Sequence, residues 1–186
     1  MRKMVTALAL FMPLSLMAQD PSYTHAEAGL SFLEPPSELG DSDIGVRARA
    51  WFALQNNLFL RGEISTHRFD DPEDSDSNTL SWDLAAVGLG FIIPVNQPMD
   101  LYAAADFLYE FGDSNSGGFR AEGGAKAIFA ESWDTAAGLR FERIDSESYV
   151  QVFANTWYPV ADRIRLGGEL AIGDFNEVLL GGRYRF

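Results

Sequence analysis

The chain alternates apolar and polar side chains in ten separate stretches beyond Gln19, each about ten to fourteen residues long. A period of two is typical of β-strands with unlike faces, because successive side chains point to opposite sides of the backbone. Clusters of turn-forming residues separate the stretches. The pattern predicts an all-β protein with strands at 23–32, 43–54, 58–69, 79–92, 100–110, 118–129, 134–144, 147–157, 163–173 and 176–186.

Each predicted strand has one apolar and one charged face. The apolar face holds, for example, Ile44, Val46, Ala48, Ala50, Phe52 and Leu54; Leu80, Trp82, Leu84, Ala86 and Ile92; Ile164, Leu166, Leu170 and Ile172; and Val178, Leu180, Tyr184 and Phe186. The opposite face carries nine acids and nine bases, which are Glu27, Arg47, Arg49, Arg61, Glu63, Asp83, Asp106, Glu110, Arg120, Glu122, Lys126, Arg140, Glu142, Arg165, Glu169, Glu177, Arg183 and Arg185.

Two features of these faces indicate that the apolar face is outside and the charged face inside. The basic residues are almost all arginine, which suits confined ion pairs better than lysine does. The apolar-face aromatics gather at strand ends, as in the girdles of transmembrane barrels. They are Phe32, Trp82, Tyr109, Phe119 and Phe141 at one end, and Phe52, Phe129, Tyr158, Tyr184 and Phe186 at the other. A soluble barrel or sandwich with the faces reversed is the alternative.

Strands of this length fit a tilted crossing of a bilayer, and a closed barrel leaves no backbone edge unpaired in lipid. We therefore predict a closed antiparallel transmembrane β-barrel of ten strands, with eight strands as the alternative. The charged lumen face of such a narrow barrel, together with Trp51, Tyr102, Phe153 and Trp157, leaves little room for water.

The first 18 residues have the pattern of a secretory signal peptide, which leaves 19–186 for the barrel. Arg2 and Lys3 precede an apolar stretch that ends near Ala18, and about 14 apolar residues are too few for a helical membrane anchor. Leu16 is larger than the usual residue three positions before a cleavage site, so the cleavage point is not determined. Export supports the membrane-barrel interpretation.

Composition narrows the possible partners. The chain has no cysteine, which excludes disulfides and a lipoprotein anchor, and its net charge of -13 argues against nucleic-acid binding through phosphates.

The signal peptide, the alternating strands and the terminal "GGRYRF" resemble the small bacterial outer-membrane β-barrel proteins of the OmpA-like and opacity type. The resemblance implies insertion in the outer membrane of a Gram-negative envelope, in contact with its lipids and lipopolysaccharide. It also implies that the barrel-assembly machinery reads a C-terminal aromatic and apolar residues at alternate positions. These positions are Leu180, Gly182, Tyr184 and Phe186.

The predicted connections differ in length between the two ends. Turns at 55–57, 93–99, 130–133 and 158–162 would face the periplasm, and loops at 33–42, 70–78, 111–117, 145–146 and 174–175 the exterior. The acidic loop at 70–78 lacks the ligand spacing of a calcium-binding loop, so we expect at most weak contact with divalent cations.

Three functions remain open. The first is a non-enzymatic outer-membrane barrel with a plugged lumen, serving envelope structure or surface interaction. The second is a narrow porin-like channel for ions or small solutes. An outer-membrane hydrolase is a third, suggested only by His67 near Ser65, Asp70 and Asp71. His67 and His25 both lie on the polar face, where a hydrogen-bonded lumen histidine is the ordinary explanation. We expect no enzyme activity, no cofactor and no metal site.

Overall fold

The computed structural model describes residues 23–34, 43–54, 57–70, 79–96, 98–112, 115–129 and 132–186. Within them, ten antiparallel strands close into a barrel in which every strand pairs with its sequence neighbours. The strands are β1 His25–Glu34, β2 Asp43–Ala53, β3 Leu58–Asp70, β4 Thr79–Asn96, β5 Met99–Gly112, β6 Ser116–Phe129, β7 Trp133–Ile144, β8 Glu147–Pro159, β9 Ile164–Gly173 and β10 Asn176–Arg185. The prediction of ten strands is confirmed, and the eight-stranded alternative is wrong.

The barrel is closed by β1 and β10, which pair along their whole length from His25 with Arg185 to Glu34 with Asn176. One end of the barrel, here called the turn end, carries the connections at 54–57, 97–98, 130–132 and 160–163. The other, called the loop end, carries the connections at 35–42, 71–78, 113–115, 145–146 and 174–175.

Two tight connections depend on residues that tolerate a left-handed backbone. Asn57 has φ of 63° before β3, and Asp145 has φ of 54° between β7 and β8. Asparagine and aspartate adopt this conformation more readily than other side chains. The sequence therefore provides turn residues where the strands reverse.

The strand boundaries agree with the predicted ones to within two residues, except at the turn end of β4. The sequence predicted a turn at 93–99, but β4 continues to Asn96 and the connection is only 97–98. Pro94 favoured an early stop, because proline cannot donate to a strand ladder. In the structure the ladder is irregular between Pro94 and Asn96, and this bulge accommodates the proline.

The outer wall is apolar. Val87, Leu139 and Val152 are 56%, 60% and 59% exposed, although they lie in the middle of their strands. The outward faces predicted for β2, β9 and β10 are confirmed, with Ile44, Leu166 and Leu180 more than half exposed.

The predicted outward face of β4 is wrong. Leu84 and Ala86 are buried and Trp82 and Ile92 are partly buried, because they face the lumen. The outward side is instead formed by Val87, Leu89, Phe91, Ile93 and Val95. Both faces of this strand are apolar, so alternation alone does not show which face is inside. Pairing with β3 decides the question, because it places Ala86 opposite the lumen residue Glu63. The side chain of Leu80 is outside the described part.

Glycines let strands and large side chains approach closely at the lumen face. Gly29 lies opposite Gly181 across the closing pair, where an added Cβ on Gly29 would stand 2.8 Å from the Cα of Gly181. Gly90 lies under the ring of Phe59, and a Cβ there would be 2.0 Å from the ring. A side chain at either position would force the neighbouring chain to move.

Two predicted segments lie outside the described residues: the signal peptide at 1–18 and, apart from Asp70, the acidic loop at 70–78. No helix in the described ranges is long and apolar enough to cross a membrane.

Candidate functional site

The predicted lumen residues are placed as follows. Seventeen of the eighteen point inward. Fourteen of them are buried: Glu27, Arg47, Arg49, Arg61, Asp106, Arg120, Glu122, Lys126, Arg140, Glu142, Arg165, Glu169, Glu177 and Arg183. Glu63, Glu110 and Arg185 also lie at lumen-facing register positions and are partly buried.

Asp83 is the exception. It pairs with Thr66 and Phe111 at outward-facing positions near the loop end. The prediction that Asp83 lies in the lumen is therefore wrong. Because β4 is apolar on both sides, Asp83 was the one charged residue that assigned a face of this strand to the lumen, and it assigned the wrong face.

Glu169, on β9, is the most heavily shared carboxylate in the lumen. Its oxygens accept hydrogen bonds from Arg47 at 2.9 Å, Arg49 at 2.7 Å and Arg140 at 3.0 Å. Asn155 donates a further bond at 3.3 Å. These donors come from β2, β7 and β8, so one carboxylate joins distant strands across the barrel.

A second set of contacts crosses the lumen through Glu122. Arg140 donates to Glu122 at 3.0 Å and Arg61 at 2.9 Å, and the hydroxyl of Tyr102 donates at 3.0 Å. Arg61 also forms a two-pronged pair with Asp106, at 2.6 and 2.5 Å. Arginine can form such a planar pair with a carboxylate through two parallel hydrogen bonds, whereas lysine cannot.

Arg120 extends the contacts toward the loop end. It donates to Glu142 at 2.7 Å and to Glu63 at 2.9 Å. Arg47 reaches Glu177 at 2.5 Å, and Ser31 also donates to that carboxylate.

The contacts continue toward the turn end. Arg183 donates to Glu27 at 3.0 Å and to Asp134 at 2.9 Å, and Lys126 lies 3.7 Å from Asp134. Arg49 donates to Glu27 at 2.5 Å. Arg120 also lies 3.8 Å from Asp106, and Arg49 lies 3.9 Å from Glu63, so all these pairs belong to one connected set.

We call this set the lumen ion-pair network. Among the described residues it contains eight carboxylates and seven basic groups: Glu27, Glu63, Asp106, Glu122, Asp134, Glu142, Glu169 and Glu177, with Arg47, Arg49, Arg61, Arg120, Lys126, Arg140 and Arg183. Arg165 lies outside it and donates to the backbone carbonyl of Ser132 at 2.6 Å.

Asp134 is a network member that the sequence prediction missed. It is 1% exposed, and its predicted strand began at this residue. The sequence contained the information needed to place Asp134 in the lumen, because Asp134 shares the even-numbered side of β7 with Arg140 and Glu142.

Aromatic side chains occupy the lumen below the network. The lumen floor, toward the turn end, consists of Tyr23, Trp51, Phe59, Tyr102 and Phe153, all buried. The rings of Trp51 and Phe59 stack at 4.8 Å, and Lys126 lies 4.7 Å from the ring centre of Tyr23. Cations over aromatic faces add attraction where water is excluded. Trp51, Tyr102, Phe153 and Trp157 were expected in the lumen and are buried there, whereas Phe59 was missed.

A second apolar cluster, the lumen roof, lies toward the loop end. It consists of Leu33 and Phe175 with the partly buried Trp82 and Tyr149. The rings of Trp82 and Tyr149 meet that of Phe175 edge-on at 5.9 and 5.6 Å. Most of the network thus lies between the roof and the floor, and its turn-end part, with Lys126 and Asp134, lies beside the floor.

Small cavities lie in the lumen among the described residues. One, between the roof and the network, has a volume of about 30 Å³, and two near Arg49 and Trp51 have about 10 Å³ each. A water molecule needs about 10 to 15 Å³ by this measure. The first cavity therefore has room for two or three water molecules, and each of the other two for at most one.

The outer wall carries aromatic side chains near both ends. Phe32, Tyr109 and Phe119 are exposed toward the loop end, and Phe52, Phe129, Tyr158, Tyr184 and Phe186 toward the turn end. Trp82, predicted for the loop-end row, lies instead in the lumen roof.

The two histidines are buried in the lumen at opposite ends. His67 lies 3.0 Å from the hydroxyl of Ser31, while Ser31 donates to Glu177. His25 stacks on Trp51 with ring centres 5.7 Å apart. The described residues contain no group of three or more His, Cys, Asp or Glu side chains arranged to hold a metal ion.

No family model and no curated protein matches the chain. Two solved structures of the KdgM porin are similar in fold. The one in complex with disordered oligogalacturonate has a TM-score of 0.54 at 10% identity, over 87% of this chain and 99% of that chain. The other has a TM-score of 0.51 at 12% identity over the same shares. At such identity the likeness concerns the barrel fold alone, and the resemblance to OmpA-like and opacity-type proteins stays a prediction.

Proposed function

We propose that this protein is an integral outer-membrane β-barrel with a closed lumen, serving envelope structure or surface interaction. In this proposal the turn end faces the periplasm and the loop end the exterior, as in barrels with short periplasmic turns. The predicted signal peptide would deliver the chain through the periplasm.

The distribution of polarity supports the membrane location. Large apolar side chains cover the outer wall, whereas arginines and carboxylates are buried inside. In water this arrangement would expose a continuous apolar surface, which soluble monomers avoid. In lipid the same surface is favourable, and the closed ladder leaves no unpaired edge in the barrel wall.

The observation that carries the closed lumen is the lumen ion-pair network. Its side chains cross from strand to strand at hydrogen-bonding distances, and the cavities beside them have volumes of about 30 and 10 Å³. A hydrated ion needs a continuous path, whereas each of these cavities has room for three water molecules at most.

Single-channel recording in planar bilayers tests the proposal. We expect the refolded wild-type protein to insert without steady openings. A matched variant with Glu122→Ala, Arg140→Ala and Glu169→Ala removes the centre of the network and should conduct, which would show that the assay detects a barrel of this width. Steady openings of the wild-type protein would overturn the closed lumen.

A narrow pore is the second candidate, because both KdgM structures with similar fold are porins. A selective, slit-shaped pore would be favoured if the acids lay on one wall of the lumen and the bases on the opposite wall. Here β3 carries Arg61 beside Glu63, and β6 carries Arg120 beside Glu122. Mixed charges of this kind neutralise each other, so the closed lumen is preferred.

The geometry of His67 supports a non-enzymatic role. Its Ser31 partner is fully buried and already donates to Glu177, so the pair is not presented to a substrate outside the lumen. We include as partners the outer-membrane lipids, lipopolysaccharide, the assembly machinery acting on Leu180, Gly182, Tyr184 and Phe186, and weakly bound divalent cations at 70–78.

A further inference from the structure

The outer wall of the barrel contains a basin over β10, β1, β2 and β3, with a volume of about 780 Å³. Its floor is made of small residues at neighbouring register positions, which are Ala26, Ala28, Ala48, Ala50, Gly62 and Gly182. Ile64 and Val87 border it on one side, and Ile164 and Tyr184 on the other. The basin is therefore an apolar depression between larger apolar side chains of the outer wall.

The shape of the basin limits what can fill it. In a twofold contact with a second copy the same patch would face itself. Two depressions facing each other would leave a gap between the two copies. The atoms that line such a gap have no neighbours with which to form dispersion contacts. A flexible apolar chain follows a concave floor, so an acyl chain fits better than a second barrel.

A cationic side chain lies at the turn-end edge of the basin. Arg163, in the connection between β8 and β9, is fully exposed and donates to the hydroxyl of Tyr184 at 3.4 Å. None of the ion pairs among the described residues includes Arg163, although Asp162 is its neighbour in sequence. Tyrosine hydroxyls at barrel ends mark the headgroup level of a bilayer.

Three further arginines lie close to Arg163 along β9 and β10, with side chains that face the lumen. Arg165 and Arg183 lie directly opposite each other on β9 and β10, and the amide of Arg185 donates to the carbonyl of Arg163 at 2.9 Å. Of these four arginines, only Arg183 forms ion pairs within the described ranges. Because the three further arginines have their side chains on the lumen side of the wall, Arg163 is the one of the four that presents its charge to the basin.

We propose that the basin binds an anionic glycerophospholipid of the turn-end leaflet, with an acyl chain on the small-residue floor and the phosphate against Arg163. The planar guanidinium of an arginine can donate two parallel hydrogen bonds to a phosphate. The acyl chain would cover the alanines of the basin floor. This inference rests on the proposed membrane location.

Lipid retention tests the site. The protein is inserted into nanodiscs of equal parts phosphatidylcholine and phosphatidylglycerol, transferred to mild detergent, and its retained lipid is identified by native mass spectrometry. We expect one phosphatidylglycerol per barrel, enriched about tenfold over the supplied ratio. A preference of about tenfold is the size of effect that one charge-assisted hydrogen bond provides.

Two variants should reduce retention to the supplied ratio: Arg163→Gln, which removes the charge, and Ala28→Leu with Ala48→Leu, which fills the floor. Their matched controls are Arg143→Gln, an exposed arginine at the loop end, and Ala103→Leu with Ala105→Leu on the outward face of β5. The controls should retain phosphatidylglycerol as the wild-type protein does.

Equal retention by wild type and both site variants would overturn the site, and so would retention of both lipids in the supplied ratio. Preferential retention of lipid A in place of phosphatidylglycerol, when both are supplied, would assign the basin to the other leaflet and also overturn it. Failure of the wild-type chain to insert into nanodiscs would instead refute the proposed membrane location, so the two failures are distinguishable.

Discussion

At the scale of single residues, Glu169 shows how the lumen is held. Three guanidinium groups from β2 and β7 donate to one carboxylate that is 4% exposed. A buried ion pair gains little over an apolar core, but the loss of one partner leaves the others buried and unpaired. The network therefore makes each member costly to remove.

We predict that Glu169→Gln lowers the free energy of unfolding by about 3 to 5 kcal/mol, because it leaves Arg47, Arg49 and Arg140 short of one negative charge. The measurement is urea unfolding of the refolded barrel followed by tryptophan fluorescence. Asp162→Asn, in the exposed connection at the turn end, is the control and should change it by less than about 0.5 kcal/mol. Equal effects of the two substitutions would contradict a tightly paired lumen.

At the scale of elements, β4 is the strand whose position depends most on its neighbours. It is apolar on both faces, and it holds a proline at its end and glycines where large lumen side chains cross it. Phe59 of β3 lies over Gly90 and packs against Trp51, so the floor of the lumen needs a residue without a side chain at this point.

Gly90→Ala should therefore destabilise the barrel by about 1 to 3 kcal/mol, the usual cost of overpacking, because its Cβ would stand 2.0 Å from the Phe59 ring. Gly123→Ala is the matched control. Its Cβ would face outward with its nearest neighbour, the carbonyl oxygen of Tyr102, at 3.6 Å. The same unfolding measurement applies, and a neutral Gly90→Ala would show that Phe59 packs elsewhere.

At the scale of the whole molecule, the polarity of a soluble protein is reversed. Charged side chains fill the interior, and the apolar side chains of the outer wall need a lipid solvent. The lumen floor and the lumen roof lie toward the two ends of the barrel and limit the contact of most of the ion pairs with water.

We expect Leu139→Arg to cost about 2 to 4 kcal/mol in phospholipid vesicles, because the residue lies halfway along β7 on the outer wall. Val160→Arg, at the turn end where the side chain reaches the headgroups, should cost about 0 to 1 kcal/mol. A cost for Leu139→Arg as small as that for Val160→Arg would indicate that water, not lipid, surrounds the barrel.

The fold could be read from the sequence because a period of two records which side of a strand each residue occupies. The arginines and carboxylates predicted for the lumen on β2, β3, β6 and β7 lie on that side. The same reasoning fails for β4, where Asp83 was the residue that defined the charged face. It also overlooked Asp134, which lies at the edge of its strand.

The sequence by itself favoured ten strands over eight and determined the approximate length of each strand and the side on which most charges lie, because these depend on local alternation and turns. Only the tertiary structure decided the register across the closed ladder, and with it which base meets which acid, which face of β4 is inside, and that Phe59 covers Gly90. The basin on the outer wall also needed the structure, since its alanines come from β1 and β2 and its Tyr184 from β10. Those contacts join residues distant in the chain, and local alternation carries no record of them.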